Sequence, residues 1–183
     1  MREGTLPTVA DAAERALVSR ATAYRYFPTQ EALLVDVAQV EPLLAPVETL
    51  VAGFATDDVA QRLTDLIDTA MPLLLSAEPL VRTAVRVYMD TWLENRRRGE
   101  ASPVRAGRRT RWLDAALHPL QAQLGNTGWQ RLRAALTLTL GTEAVIAMKD
   151  VAGLDDDEEI VATLRWAAGA LLRAAVDDAV QPA

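Results

Sequence analysis

The 183-residue chain carries 19 basic and 25 acidic residues, a formal net charge of −6, with 50% hydrophobic and 5% aromatic content, which suits one globular domain or a small module beside a larger one. Zero cysteines, one histidine (His118) and one lysine (Lys149) exclude disulfides, thiol nucleophiles, iron–sulfur clusters and the common zinc sites. They leave little for charge-relay or Schiff-base chemistry, so neither an enzyme, a metal nor a cofactor is expected.

No segment alternates apolar and polar residues for long, and Ala, Leu and Arg dominate, so the chain reads as all-α. Capping and breaking residues predict short helices opening at Thr8, at Ser19 and at Thr29, the last continuing to Val40. Longer helices follow over 57–77, 78–97, 103–124, 129–150 and 157–178, with joints at Ser76-Ala77, 99–102, 125–128 and Gly153. The step in helix length near Glu41-Pro42 divides the chain into a small module, 1–41, and a larger helical body, 42–183. No stretch approaches the roughly 20 apolar residues of a membrane span, and Met1 to Ala10 carries no apolar run, so the expectation is a cytoplasmic protein without a membrane partner.

Thr8 and Asp11 have capping-box spacing, with Asp standing in for Glu. The helix they open runs through Ala12, Ala13 and Ala16, small side chains that let another helix approach, and Leu17-Val18-Ser19 interrupts it. Ser19 caps the next helix. On that helix the spacing of four puts Ala23 and Phe27 on one face, while Ala21, Thr22 and Arg25 fall opposite, flanked by Arg20 and Tyr24. Pro28 ends it, and Leu33, Leu34 and Val37 of the third helix can cover Phe27. Two short helices across a tight turn, the second offering Ser, Thr, Tyr and Arg outward, match the helix-turn-helix device for reading a major groove. Arg grips guanine through O6 and N7, a Thr methyl touches a thymine methyl, and hydroxyls reach phosphates. From Arg15 to Gln30 there are three arginines and no acid, a locally positive face on an acidic chain. An ordinary surface helix with a few arginines meets the same spacing.

The residues themselves carry a resemblance. Thr8-Val-Ala-Asp-Ala-Ala13, Ala16-Leu-Val-Ser19, Thr22-Ala-Tyr-Arg-Tyr-Phe27 and Glu31-Ala-Leu-Leu34 together resemble the DNA-binding module of TetR-family transcriptional regulators over about thirty residues. The resemblance implies a homodimeric repressor in which each subunit lays its second motif helix in the major groove and a divergent C-terminal domain binds a small molecule. By position, Ser19, Arg20, Ala21, Thr22, Tyr24 and Arg25 take the DNA-facing roles, with double-stranded operator DNA as the partner. Three departures stand out. The family has a first helix of about fifteen residues or more where only Met1 to Pro7 precede Thr8, so the module is expected to be incomplete, through a start assigned downstream of the true one or through loss of tight operator binding. Leu17 occupies a turn position that usually takes Gly because φ is positive there, at a cost of roughly 1 kcal/mol. Gln30 replaces a phosphate-binding Lys.

In the body, Val81, Val85, Tyr88 and Trp92 form one stripe, and Leu113, Leu117, Leu120 and Leu124 another. Pro72 and Pro119 sit inside helical patterns, where proline deletes a hydrogen bond and bends the axis. Such kinks suggest a cavity for a small apolar or aromatic ligand, lined by some of Met71, Leu75, Tyr88, Trp92, Leu113, Leu117 and Met148; the same residues could instead simply fill a core. His118 reads as structural or as a donor to a ligand. Glu143, in an apolar run, calls for a partner, and an arginine is the favoured one. Leu132, Leu136, Leu140 and Ala147, with Ile160, Leu164, Leu171, Trp166, Ala170 and Ala174, exceed what one contact needs, so a homodimer through the last two helices is expected. Residues 155–159 place acids at a helix N-terminus. The basic run of Arg96 to Arg98 with Arg105, Arg108, Arg109 and Arg111 reads as a solvated face, the alternative being a place near DNA phosphates. The alternative function is a dimeric small-molecule-binding or interaction module without tight operator binding.

Overall fold

A computed structural model describes residues 8–26, 43–99 and 107–180. They form helices joined by turns, with no strand among the described residues: the fold is all-α. Two compact units divide them, 8–26 with 77–99, and 43–76 with 107–180. Residues 77–99 thus fall with the N-terminal residues, whereas the sequence reading assigns all of 42–183 to one body. The predicted helix from Thr29 to Val40, with Phe27 and the residues meant to cover it, lies outside the described residues.

In the first unit, α1 (Val9–Arg15) and α2 (Arg20–Tyr26) pack on each other, and α5 (Glu78–Arg98) ends at Gly99 with φ 71°. In the second, α3 (Ala45–Ala52), α4 (Val59–Ser76), α6 (Arg108–Leu117), α7 (Gln121–Leu136), α8 (Thr142–Ile146) and α9 (Asp157–Val180) assemble around α4, which touches α3, α6, α8 and α9. Its residues Leu63, Leu66, Ile67, Ala70, Met71 and Leu74 recur every three or four positions and are buried, the stripe that makes a helix central to a bundle. Burial of each large side chain contributes about 1.5–3 kcal/mol. Asp58 caps α4, its Oδ1 accepting from the N–H groups of Ala60 (2.9 Å) and Gln61 (3.3 Å).

The body departs from its sequence reading at three joints. Pro72 sits inside α4 without ending it, whereas Pro119 falls in a 3₁₀ turn, His118–Leu120, that separates α6 from α7. The joint expected over 125–128 narrows to Gly125, a kink within α7 at φ 63°, ψ 174°. The predicted 129–150 helix is broken at 137–141. There the hydroxyls of Thr137 and Thr139 donate to the carbonyls of Ala134 (2.6 Å) and Leu136 (2.9 Å), and Gly141 adopts φ 111°. Threonine hydroxyls that bond back to the preceding turn compete with the helix ladder, and only glycine takes that φ without strain. A π turn, Ala147–Val151, follows α8.

Arginines tie the second unit together. Arg62 donates to the carbonyls of Thr56 (2.5 Å) and Ala115 (3.2 Å) and to Asp57 (2.6 Å), over the Phe54 ring. Glu48 of α3 accepts from Arg111 (2.6 and 2.7 Å) and from the buried Trp112 indole N–H (3.1 Å), with Arg108 at 3.8 Å. Arg109 donates to the Thr137 carbonyl (2.8 Å) and pairs with Glu143. The basic run therefore divides: Arg108, Arg109 and Arg111 hold helices together, Arg96, Arg97 and Arg98 are exposed as expected, with Arg97 and Arg98 beside Glu94 of the same helix, and Arg105 lies outside the described residues.

Candidate nucleic-acid interface

The N-terminal module is built by local chemistry. The Thr8 hydroxyl accepts from the Asp11 N–H at 3.1 Å while the Asp11 carboxylate accepts from the Thr8 N–H (2.9 Å) and hydroxyl (2.7 Å), a complete capping box. These two Thr8 hydrogen bonds hold the Asp11 carboxyl below the usual carboxylate range, with smaller contributions from Arg15 and Arg20. At the other end the Val18 N–H donates to the Ala13 carbonyl (3.0 Å) and the Leu17 N–H to that of Glu14 (3.2 Å), the Schellman closure with Leu17 in the left-handed position. Its φ is 54°, the positive value expected from the sequence, and it is the one non-glycine residue with positive φ among those described.

Ser19 then starts α2. Its Oγ accepts from the Thr22 N–H at 3.1 Å, and the two hydroxyls lie 2.8 Å apart. Ala23 is buried against Val9 and Ala13, with Ala12 packed beside them. Small side chains let the two helices approach closely. Ser19, Arg20, Ala21, Tyr24 and Arg25 are exposed and Thr22 is half-buried; at about 100° per residue they spread around the helix, with Arg20 and Thr22 about 160° apart, so the six residues expected to face DNA share exposure and not one common side. Ala16, expected at a helix contact, is exposed. A short helix with one buried edge, two guanidiniums and several hydroxyls outward has the shape and donor set to enter a groove and touch phosphates and base edges.

The residues named for a ligand cavity scatter. Met71, Leu113 and Leu117 are fully buried in the core of the second unit, and Met71 Sδ accepts from the Gly141 N–H at 3.5 Å. Leu75 borders a groove of about 700 Å³ with Asp68, Pro72, Val161 and the acids 156–159. Tyr88 and Trp92 belong to α5 of the other unit, and Met148 is half-buried in the π turn. A feature the sequence reading passed over is a groove of about 510 Å³ lined by Val51, Phe54, Arg62, Asp114 and exposed His118. The arginine over an aromatic ring beside the lone histidine is its chemistry, and residues so far apart in the chain give no local signal. Glu143 has the arginine partner favoured for it, but its side chain is 48% exposed rather than buried. The acids at 155–159 stand at the α9 N-terminus as expected, Asp156 Oδ1 accepting from the Glu158 N–H at 2.8 Å, and no cluster able to hold a metal occurs among the described residues.

Of the dimer residues, Leu132, Leu136, Leu140, Ile160 and Leu164 are buried within the chain itself, so they are not spare surface; Trp166 is 71% exposed. No helix among the described residues is long and apolar enough to cross a membrane. Comparison with protein-family models, with curated proteins and with solved structures gives no match.

Proposed function

We propose that the chain is a ligand-responsive DNA-binding transcriptional regulator, a cytoplasmic repressor that acts as a homodimer on double-stranded operator DNA. One observation carries the reading: α2 buries Ala23 against α1 and leaves Ser19, Arg20, Ala21, Tyr24 and Arg25 exposed, with Thr22 half-buried. The TetR-like motif residues support it. In this mechanism two reading heads dock in successive major grooves about 34 Å apart, and a small apolar or aromatic ligand in the body changes their separation enough to prevent simultaneous docking.

The test is selection from a random duplex pool followed by anisotropy titration across salt. The expected product is an inverted repeat with half-site centres about one helical turn apart, bound with a log K against log salt slope of roughly −3 to −5. Arg20→Ala and Arg25→Ala weaken it. No enriched site, together with any residual binding indifferent to both substitutions, refutes the reading. That outcome favours a dimeric small-molecule-binding or interaction module, to which the thin charge of the module, three arginines from Arg15 to Gln30, already points.

A further inference from the structure

The seam between α4 and α9 is held by Arg165, whose Nε and Nη2 both donate to Asp68 Oδ1 (3.0 and 2.6 Å). Beside that pair the two helices fail to close, leaving a groove of about 340 Å³, within the range of small-molecule pockets, about 300–1,000 Å³. Its floor is apolar, with Leu63 and Ile67 of α4 and Ala168 and Leu172 of α9 all buried. Trp166 stands on its rim, 71% exposed. Residues seven apart lie nearly above one another on a helix, drifting only about 20° per heptad, so Arg173 is on the same rim. Side chains on a helix lean toward its N-terminus, and Arg173 lies over Gly169, its Nη1 3.3 Å from where a Cβ there would sit. The guanidinium is thereby brought to the level of residue 169, about 4.5 Å along the axis from Trp166 at 1.5 Å per residue.

The groove carries charge of one sign. Its charged lining residues are Arg165 and Arg173, without an acid, on a chain of net charge −6. Asp68 engages Arg165. Arg173 makes no ion pair or side-chain hydrogen bond among the described residues, and the Thr64 hydroxyl donates to the Ala60 carbonyl (2.9 Å), which leaves the guanidinium of Arg173 as the donor a ligand would meet. We propose that the groove binds a small carboxylate with an apolar body, an aryl or short alkyl acid. The body covers Leu63, Ile67 and the indole of Trp166, and the carboxylate takes the planar fork of Arg173 bidentately. A neutral apolar molecule would desolvate the guanidinium without pairing it, and a cation would meet two arginines. The site shares no residue with the cavity expected from the sequence, and its ligand carries a charge for which that cavity had no partner. It rests on the ligand-responsive function proposed above only for what binding regulates. Binding itself is measured without DNA, so failure here leaves the DNA titration unaffected, and failure there leaves the site standing.

The experiment is calorimetric titration of the full chain with hydrocinnamate, octanoate, hydrocinnamamide and phenylpropylamine, with tryptophan fluorescence as a second readout. At least one of the two acids is expected to bind with a Kd well below about 1 mM, hydrocinnamamide at least roughly tenfold more weakly than its acid, and the amine not at all. Arg173→Ala, at an exposed position and with an unchanged circular-dichroism spectrum, abolishes the preference for acid over amide. Trp166→Phe removes the fluorescence response while keeping the binding. Neither acid binding, acid and amide binding alike, or a preference for the acid that survives Arg173→Ala each overturns the proposal. So does a dimer that Trp166→Glu disperses in sedimentation equilibrium, because a second copy then covers the groove.

Discussion

Leu17→Gly should make the protein more stable. In the wild type Leu17 holds φ 54° and is 94% exposed, so substitution discards almost no burial. The closure it supports is made by backbone groups, Val18 N–H to the Ala13 carbonyl and Leu17 N–H to that of Glu14, and glycine keeps both. Relief of the left-handed conformation contributes about 1–2 kcal/mol; the freer unfolded glycine gives back roughly 0.4–1 kcal/mol. The net is a gain of about 0.5–1 kcal/mol, a rise of about 1–4 °C in Tm for a chain of this size. Urea and thermal unfolding followed at 222 nm measure it, with Leu17→Ala as the control that keeps a Cβ in the strained position and should gain little. Equal stability of Leu17→Gly and wild type, or a gain for Leu17→Ala as large as for glycine, would show that Leu17 is not strained and that exposed apolar surface is the operative variable.

Two other perturbations test the local chemistry. Gly141→Ala places a Cβ 2.5 Å from Arg109 Nη2 at a φ of 111°, and Arg109 is pinned by the Thr137 carbonyl and Glu143, so a loss of about 2 kcal/mol or more in urea unfolding is expected; Arg109→Ala added to it should recover only the steric part. Because Asp11 titrates lower in the folded protein than unfolded, its capping box contributes stability above the ordinary carboxylate range and loses it as pH falls through the lowered folded value. The gap in urea midpoint between wild type and Asp11→Ala should therefore be widest near neutrality and close in acid, and a gap that persists below the carboxylate range would contradict the assignment.

The N-terminal module was legible because everything that builds it is local. Thr8 reaches Asp11, Ser19 reaches Thr22 and Leu17 closes onto Glu14, all within three residues, so type and spacing determine caps, turn and exposed side together. The body was legible in fold class and in its long helices but not in its ties. Glu48 gathers Arg111 and Trp112 from more than sixty positions away, and Arg109 finds Glu143 across 34; charge counts along the chain cannot tell such arginines from solvated ones. The break at 137–141 did leave a signal, two threonines and a glycine in a leucine-rich run, which read as helix because apolar periodicity outweighed them.

That contrast bears on how the two halves of the function can be argued. The proposed reading head is a short-range object: its caps are set by residues three apart, and Ala23 packs on Val9 and Ala13 while Arg20, Tyr24 and Arg25 are exposed. A ligand site in the body is a long-range object. Met71, Leu113 and Leu117, expected to line a cavity, are fully buried core, whereas the groove with Phe54, Arg62 and His118 draws on elements from Val51 to His118. Apolar periodicity finds the side of a helix that faces inward and says nothing of where facing helices fail to meet. The proposed ligand is accordingly to be sought by binding to the folded body, while the proposed DNA face can be tested one arginine at a time.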